Sequence, residues 1–432
     1  MHRINWLVLL SLLFTFSCTK HVIKPPMLPD YSYKAIGEFK FSKMKNSPPF
    51  ANKNHRFTSL GFEKIPFRTI AVHPQKILPG TVLFVPQMYG WLMPSGEIHD
   101  GYFLAEEIDT VANQNSISVF TRNKKKMPVE GKTIAVYRVN EPILSSVRKR
   151  FQTRKSKRKS KQLDELTAAD FDTLLQNQQN LPAKLGSKIQ MLSEKGKGAP
   201  YEIFLLGEGP SAKYDKDPLM DFARFDCMTF CEHVLAASIS DSYSKMFENL
   251  KRIRYKNGEI HYLSRNHYTI ADWLPNNHWL LKDVTTEVGG SSCAKMTKII
   301  DRKSFFKSNG VVEDDLQNIT QPETLTVDYI PAVMLSKIKN NLHGGEIVSI
   351  VTSYPAIISA HMGIIVRDSY GNLLFRHASS SRANRAVVDE FFDEYAADLQ
   401  NSKTRLGMIF MRIHDKVQVP LSAEKPLPEE ID

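Results

Sequence analysis

The chain has 432 residues, which is too long for one ordinary hydrophobic core, so we expect two or three domains. Hydrophobic residues make up 42% of it, which excludes a mostly disordered chain. The formal net charge of +11 favours an anionic partner such as nucleic acid, a membrane surface or an anionic wall polymer.

The N-terminus predicts export. An apolar run over residues 6–16 has the length of the hydrophobic part of a secretory signal and is too short to span a bilayer. It ends at Ser17-Cys18, and a small residue before a cysteine is typical of a bacterial lipoprotein signal. We therefore predict a signal peptide over 1–18 and lipidation of Cys18, whose acyl chains would anchor the chain to a membrane. A plain signal peptide with a chance cysteine is the alternative.

The next part of the chain divides by composition. Residues 19–55 are rich in Pro, Lys, Ser and Asn and predict an extended tether. Residues 56–142 show short apolar runs between turn residues, which predicts a small all-β barrel. The runs are Thr69–Val72, Val82–Val85, Ser116–Phe120 and Thr133–Tyr137. Residues 143–164 are predicted to form a basic linker. The stretch from Arg148 to Lys161 is so rich in Lys and Arg that we expect it not to fold alone.

Residues 165–415 predict one α+β domain, because helical spacing comes first and strand-like runs follow. Helices are expected around 166–175 and 185–192, and a third from Cys227. The strand-like runs are Ile347–Val351, Met362–Val366, Leu373–Phe375 and Met408–Met411. The acidic segment 416–432 predicts a disordered tail.

Cys227 is the candidate nucleophile. Asp226 is a good N-cap residue, so Cys227 is expected in the first turn of a helix, where N–H groups and the helix dipole favour a thiolate. Three cysteines follow Cys18, and an odd number in an exported protein leaves at least one thiol free. Cys231, one turn further on, is expected to be a packed core thiol.

Two histidines are candidates to activate this thiol. His361 begins a predicted strand, and His377 ends the next one after a turn over 368–372. Adjacent antiparallel strands place such residues side by side, so His361 is predicted as the general base and His377 as the group that orients it. His267 is a weaker rival base, and His233 is expected to face away from Cys227.

This order of motifs resembles the NlpC-type (papain-like) cell-wall cysteine peptidases, and within them the N-acetylmuramoyl-L-alanine amidase-like family. The resemblance covers about residues 165–415. It implies a papain-like fold with Cys227 as nucleophile, His361 as base and His377 as orienting residue, and no metal or cofactor. The further motifs that carry it are Leu206-Gly207-Glu208-Gly209, Tyr214-Asp215-Lys216-Asp217-Pro218, Arg254-Tyr255-Lys256-Asn257-Gly258, Ser264-Arg265-Asn266-His267-Tyr268 and Ala271-Asp272-Trp273-Leu274-Pro275-Asn276-Asn277.

A dense polar and aromatic set in these motifs is predicted to bind substrate. An arginine can hold a stem-peptide carboxylate with two hydrogen bonds, and a tryptophan can stack on a sugar or peptide face. The alternative is that the same residues only fix a long loop over the cleft. The set comprises Glu208, Arg265, Asn266, Asp272, Trp273 and Asn276.

The N-terminal barrel resembles the three-aspartate double-psi β-barrel domain of lytic transglycosylases. Glu107 and Ser118 stand where that domain has catalytic aspartates. A serine cannot serve as the acid in glycan cleavage, so we expect this barrel to bind or position glycan. Asp100 and Asp109 remain as nearby carboxylates, which leaves a weak or altered activity open.

Together these features predict a peptidoglycan hydrolase that cuts an amide of the stem peptide, either N-acetylmuramoyl-L-alanine or a γ-D-Glu linkage. Its expected place is the cell envelope, at the periplasmic face of the outer membrane. The expected partners are peptidoglycan and, through the lipid anchor, a membrane, with no nucleic acid and no evident protein partner. The alternatives are a lytic transglycosylase, a non-catalytic wall-binding lipoprotein, and an acyltransferase that uses the same triad.

Overall fold

The structure is a computed structural model that describes residues 32–44, 57–122, 125–140, 143–151, 162–179 and 183–420. The predicted signal peptide and Cys18 lie outside the described residues, as does the tail from residue 421 onward. Among the helices described, none has the length and apolar character needed to cross a bilayer.

Six strands of the N-terminal domain close into a barrel. They are β1 (Tyr33–Lys43), β2 (Thr69–Val72), β3 (Val82–Phe84), β4 (Tyr102–Ile108), β5 (Ser116–Val119) and β6 (Thr133–Val139). The order around the barrel is β1-β5-β2-β4-β3-β6, in which the β1–β5 and β2–β4 pairs are parallel. The predicted all-β barrel is therefore confirmed, while its double-psi topology stays a prediction.

The tether prediction was wrong over β1. This strand lies inside residues 19–55, yet it pairs with both β5 and β6. Phe39 and Phe41 are fully buried in the barrel core, and Lys40 between them is exposed. That alternation is the strand signal, and the polar residues on either side of it dominate the average composition.

The linker prediction was also wrong at its start. Residues Ile143–Phe151 form helix α1, which packs Leu144 and Val147 against the barrel. Its basic residues lie in the last turn, where the helix dipole favours cations. Arg150 of that turn pairs with Asp100 of the barrel at 2.6 Å.

The C-terminal domain combines nine helices and eight strands in the described part of the chain. The helices are α2 (Ala168–Gln179), α3 (Leu185–Glu194), α4 (Cys227–Ser238), α5 (Tyr243–Arg254), α6 (Leu274–Asn276), α7 (Thr285–Gly289), α8 (Arg302–Ser308), α9 (Leu335–Ile338) and α10 (Phe392–Gln400). The strands are β7 (Leu281–Asp283), β8 (Ala294–Ile300), β9 (Glu323–Pro331), β10 (Ile347–Thr352), β11 (Ser359–Arg367), β12 (Leu373–Ala378), β13 (Val387–Phe391) and β14 (Arg405–Ile413).

These strands form one antiparallel sheet with the order β13-β12-β11-β10-β14-β9-β8, and β7 pairs with β14. Helices α3 and α4 pack on the face that carries Met362 and Ile364. Helix α10 covers the opposite face, which carries Ile365 and Phe375. The α+β class is confirmed, and the papain-like arrangement stays a prediction.

The barrel sits against α10 and the β11–β12 turn. Lys34 of β1 pairs with Asp398 at 3.0 Å, and Arg138 of β6 pairs with Glu394 at 3.4 Å. In the β11–β12 turn, the buried side-chain amide of Asn372 donates to a barrel backbone carbonyl at 3.1 Å. The two domains therefore meet beside the strands that carry His361 and His377.

A buried ionic cluster fastens β13 to the rest of the sheet. Asp389 of β13 accepts from Arg376 of β12 at 2.6 Å and from Lys197 at 2.9 Å. Burial opposes the charged form of this carboxyl, but the two cations outweigh it and hold the pKa of Asp389 below its usual value. The carboxylate therefore stabilises the fold above its unfolded pKa, and that stabilisation is lost as the pH falls.

We predict that Asp389→Asn lowers the free energy of unfolding at pH 7 by about 3–5 kcal/mol, because it removes the buried counter-ion of Arg376 and leaves that arginine only the exposed carboxylate of Glu194. Urea denaturation measures this loss, which should shrink as the pH falls below about 5. The matched control is Asp393→Asn, since the pair of Asp393 with Lys339 is exposed and contributes less than about 1 kcal/mol. Equal losses in the two variants would contradict the prediction.

Candidate active site

Cys227 is the first residue of α4, as the sequence predicts. The side chain of Asp226 accepts from the backbone N–H groups of Met228 at 2.9 Å and Thr229 at 2.7 Å. The hydroxyl of Thr229 in turn accepts from the backbone N–H of Asp226 at 3.0 Å, which completes a reciprocal cap. This cap fixes the direction of the half-buried Cys227 side chain at the helix start.

The thiol of Cys227 is not acidic in this structure. Burial raises its pKa to about 12, and the neighbouring charge of Asp226 adds to the increase. Backbone N–H groups of Met362, Cys227 and Met228 lower the pKa, but by less. The N–H groups at the helix start therefore favour the thiolate in the direction predicted, but the desolvation of a thiolate outweighs them here.

His361 and His377 lie side by side on β11 and β12. Their rings are joined by a 2.6 Å hydrogen bond between His361 Nε2 and His377 Nδ1 and stand almost perpendicular, at 88°. His377 stacks on Phe375 with ring centroids 4.7 Å apart. A Cβ at Gly363 would come within 2.5 Å of the Phe375 ring, so only glycine lets that ring support the pair.

Glu390 of β13 extends this pair, and the sequence analysis missed it. His377 Nε2 lies 3.1 Å from Glu390 Oε1. Burial favours the neutral acid, but the hydrogen bond with His377 and the nearby charges of Arg138 and Lys34 lower the pKa of Glu390, so it is a carboxylate. Strand β13 escaped prediction because its two adjacent carboxylates, Asp389 and Glu390, interrupt the apolar pattern.

The carboxylate fixes where the protons lie. A carboxylate only accepts, so His377 donates from Nε2 to Glu390, and in its neutral form it must accept at Nδ1. With His377 neutral, His361 therefore donates from Nε2 to His377 and keeps its lone pair on Nδ1. Burial, with the charge of Arg405 and that of His377 whenever His377 is protonated, holds the pKa of His361 well below its usual value, so this ring is a neutral base.

Cys227 and His361 lie on two elements that pack against each other. Helix α4 packs on β11, and the thiol is close enough to Met362, the residue after His361, to receive its backbone N–H. The described contacts include no hydrogen bond between the thiol and the His361 ring. Such catalytic contacts often tighten only when substrate binds.

The guanidinium of Arg265 is held by acidic side chains of the same domain. Its two terminal nitrogens donate to Asp215 at 2.9 and 3.0 Å, and its Nε lies 3.3 Å from Glu208. Burial raises the pKa of Glu208, although Arg265 counteracts this. These contacts match the alternative that both residues fix a loop, because a substrate carboxylate would have to displace Asp215.

The other predicted binding residues are also held inside the domain. Trp273 is fully buried, so its ring has no face available to a sugar. Asn266 is buried and accepts from Asn276 at 2.6 Å, and Asp272 pairs with Arg302 at 2.6 Å. These contacts match the alternative that the set supports the fold, and for the fully buried Trp273 the prediction of stacking on substrate was wrong.

The rival histidines have structural partners. His267 contacts a backbone carbonyl at 2.8 Å and lies among Tyr262, Phe305 and Phe306, and burial lowers its pKa to about 3. His233 contacts the backbone carbonyl one turn earlier on α4 at 2.7 Å, and Cys231 is fully buried in the core as predicted.

In the barrel, the carboxylate that stands at the position of a catalytic aspartate is paired with a neighbouring cation. Glu107 is buried, pairs with Lys64 at 2.8 Å and accepts from the hydroxyl of Ser59. Ser118 contacts Ser42 across the β1–β5 pair at 3.2 Å. These contacts tie strands together and leave no free acid at the two positions, which argues against a transglycosylase site there.

A cleft of about 490 Å³ opens where the two domains meet. His361, His377 and Glu390 line one side of it, and Lys34 and Arg138 of the barrel line the other. This volume falls within the range of small-molecule sites, roughly 300–1,000 Å³. The histidine pair therefore opens onto a cleft that both domains build.

We predict that alkylation of Cys227 by iodoacetamide rises about tenfold per pH unit from pH 7 to pH 9, because the raised pKa leaves the thiolate as a small fraction. Mass spectrometry of the peptide that contains Cys227 measures the rate, and Cys227→Ala identifies background labelling. A rate that already levels off near pH 7 would indicate a thiolate–imidazolium pair and contradict a neutral resting state.

Comparison with known proteins concerns this C-terminal domain. The protein LPG0564 of Legionella pneumophila is 23% identical with a TM-score of 0.51 over 58% of this chain and 95% of its own, a likeness of fold. Two structures of an N-acetylmuramoyl-L-alanine amidase from Bacteroides uniformis are 26% and 27% identical, each with a TM-score of 0.44, and cover 53% of this chain and 98% and 99% of theirs. No curated protein matches. Residues 191–403 match the family model described as AmiA-like, N-acetylmuramoyl-L-alanine amidase-like, so the domain that carries Cys227 and His361 is similar to that family.

Proposed function

We propose that this protein is a peptidoglycan hydrolase that cuts an amide of the stem peptide by thiol catalysis. The observation that carries the proposal is the hydrogen-bonded chain from Glu390 through His377 to His361, placed beside the helix that begins at Cys227. This arrangement lies within residues 191–403, which match the amidase-like family model.

The proposed reaction follows from the resting protonation states. The Cys227 sulfur attacks the amide carbonyl carbon as Nδ1 of His361 takes the thiol proton, so the C–S bond and the imidazolium form together, while the C=O π electrons move to the oxygen of a tetrahedral oxyanion. When that oxyanion collapses, the C–N bond breaks. The imidazolium is stabilised through His377 by the charge of Glu390. His361 then protonates the leaving amine, which leaves a thioester. Water attacks the thioester, gives its proton to His361, and releases the acid and the thiol.

The proposed bond is the amide between N-acetylmuramic acid and L-alanine, because the matching family is described by that activity. The γ-D-Glu amide is the other amide that the same reaction can cut. The proposed lipid anchor at Cys18 would hold the enzyme beside the wall, and the barrel is proposed to position the glycan or its stem.

Purified peptidoglycan incubated with the wild type is expected to release free stem peptides, and Cys227→Ala is expected to release none. Mass spectrometry of the soluble fragments measures both, and truncated stems instead of whole ones would assign the γ-D-Glu amide. Cys293→Ser is the matched control, since Cys293 lies in another cluster of the domain. Fragments with anhydro sugars from the wild type and Cys227→Ala alike would overturn the proposal in favour of a transglycosylase.

Glu390→Gln is expected to lower kcat by about 10- to 100-fold with little change in KM, because the uncharged amide cannot stabilise the imidazolium. Its NH₂ group can also donate to His377 Nε2, which would reverse both tautomers. Stem release from wall fragments gives kcat and KM. Asp393→Asn, a surface change three residues away, should leave both unchanged, and a loss in Glu390→Gln that appeared in KM alone would contradict the role in proton transfer.

A further inference from the structure

The barrel wall of the cleft presents two cations on one face. Lys34 and Arg138 are direct partners in the antiparallel β1–β6 pair, so their side chains leave the barrel on the same side. Like charges at such positions repel each other unless anions lie near them. The anions here are Asp398 and Glu394, one turn apart on α10.

These ion pairs leave the two barrel cations able to bind a ligand. The Arg138–Glu394 pair is long at 3.4 Å, and its side chains are 20% and 34% exposed, so water and salt weaken it. Side chains of this kind exchange a weak partner for a better placed one at little cost. Arg138 can therefore turn a fork of two N–H donors towards a carboxylate in the cleft.

A third cation, Arg405 at the start of β14, lines the same cleft. Within the part of the chain that the structure describes, no carboxylate pairs with it. Its contacts include the hydroxyl of Ser402 at 3.5 Å and Tyr395, whose hydroxyl it hydrogen-bonds and whose ring centroid lies 5.9 Å from the guanidinium carbon. A half-buried guanidinium without an anion beside His361 is a further reason to expect an anionic ligand.

The carboxylates beside the cleft already have partners. The lining cations are Lys34, Arg138 and Arg405, and the lining carboxylates are Glu390 and Asp398. Glu390 is already engaged by His377 and Asp398 by Lys34. With Glu394, the partner of Arg138, three carboxylates lie beside the three cations, so Arg405 is the cation that no carboxylate pairs with among the described residues.

We propose that Lys34, Arg138 and Arg405 form a carboxylate subsite that binds the free α-carboxylate of a γ-linked glutamate in the stem peptide. This inference rests on the proposed function. A γ-linkage leaves the α-carboxylate of that glutamate free, one residue beyond the amide of N-acetylmuramoyl-L-alanine. The barrel thus supplies two of the three cations that set specificity, and the C-terminal domain supplies the third cation and the reacting groups.

Two ligands test the subsite without relying on turnover. Both are N-acetylmuramoyl-L-alanyl-D-glutamate with the γ-carboxyl capped as a methylamide, and they differ only in an α-carboxylate or an α-carboxamide. Titration calorimetry with the full-length Cys227→Ala protein is expected to show at least tenfold tighter binding of the carboxylate. Adding Arg138→Met or Lys34→Met should remove most of that difference. Equal affinity of the two ligands, or no binding of either, would overturn the proposal.

Two controls separate ligand contact from domain docking. Lys40→Met alters the same strand roughly 20 Å from Lys34 and should preserve the preference for the carboxylate. Glu394→Gln breaks the same ion pair as Arg138→Met but leaves the arginine in place, so the preference should persist or increase. A loss in Glu394→Gln equal to that in Arg138→Met would overturn the subsite, since Arg138 would then only hold the barrel in position.

The result of this binding test can be distinguished from the result of the stem-release test. A preference for the carboxylate with no stem release from walls would retain the subsite and reject the hydrolase. Stem release without the preference would retain the hydrolase and reject the subsite.

Discussion

The hydrogen-bond chain that ends on the Glu390 carboxylate determines what the rest of the site can do. Because the Glu390 carboxylate only accepts, Nε2 of His377 must donate to it. With His377 neutral, its Nδ1 then accepts from His361, whose lone pair is left on Nδ1. Three adjacent strands must hold this register, and the ionic cluster around Asp389 fastens the outermost of them. Fold stability and the protonation pattern of the site therefore depend on the same strand, β13.

Burial gives this site its resting state. The same desolvation that raises the pKa of Cys227 lowers that of His361, so both groups are neutral before substrate arrives. A neutral pair needs no counter-ion, and in the proposed reaction it would form charge only as the reaction proceeds. The fixed charge of Glu390 would then already be in place to stabilise the imidazolium, which is the advantage of a preorganised site.

The position of the barrel gives the cleft a second wall. Its contacts with α10 are partly exposed ion pairs, while Asn372 supplies a buried hydrogen bond at the β11–β12 turn. This interface therefore combines one buried hydrogen bond with ion pairs that solvent and salt can weaken. The cations that face the histidines come from strands far from them in sequence, so the cleft exists only when the two domains are docked.

The sequence by itself determined the α+β class, the barrel, the helix that begins at Cys227 and the pairing of His361 with His377, because caps and periodic apolar runs are local signals. It did not reveal Glu390, the strand β1 in a polar segment, or the cleft cations Lys34 and Arg138. Those depend on strand register and domain docking, which bring together residues that lie in different elements of the chain. The protonation of Cys227 and the burial of Trp273 likewise follow from how much water the surrounding fold removes, and only the tertiary structure decides that.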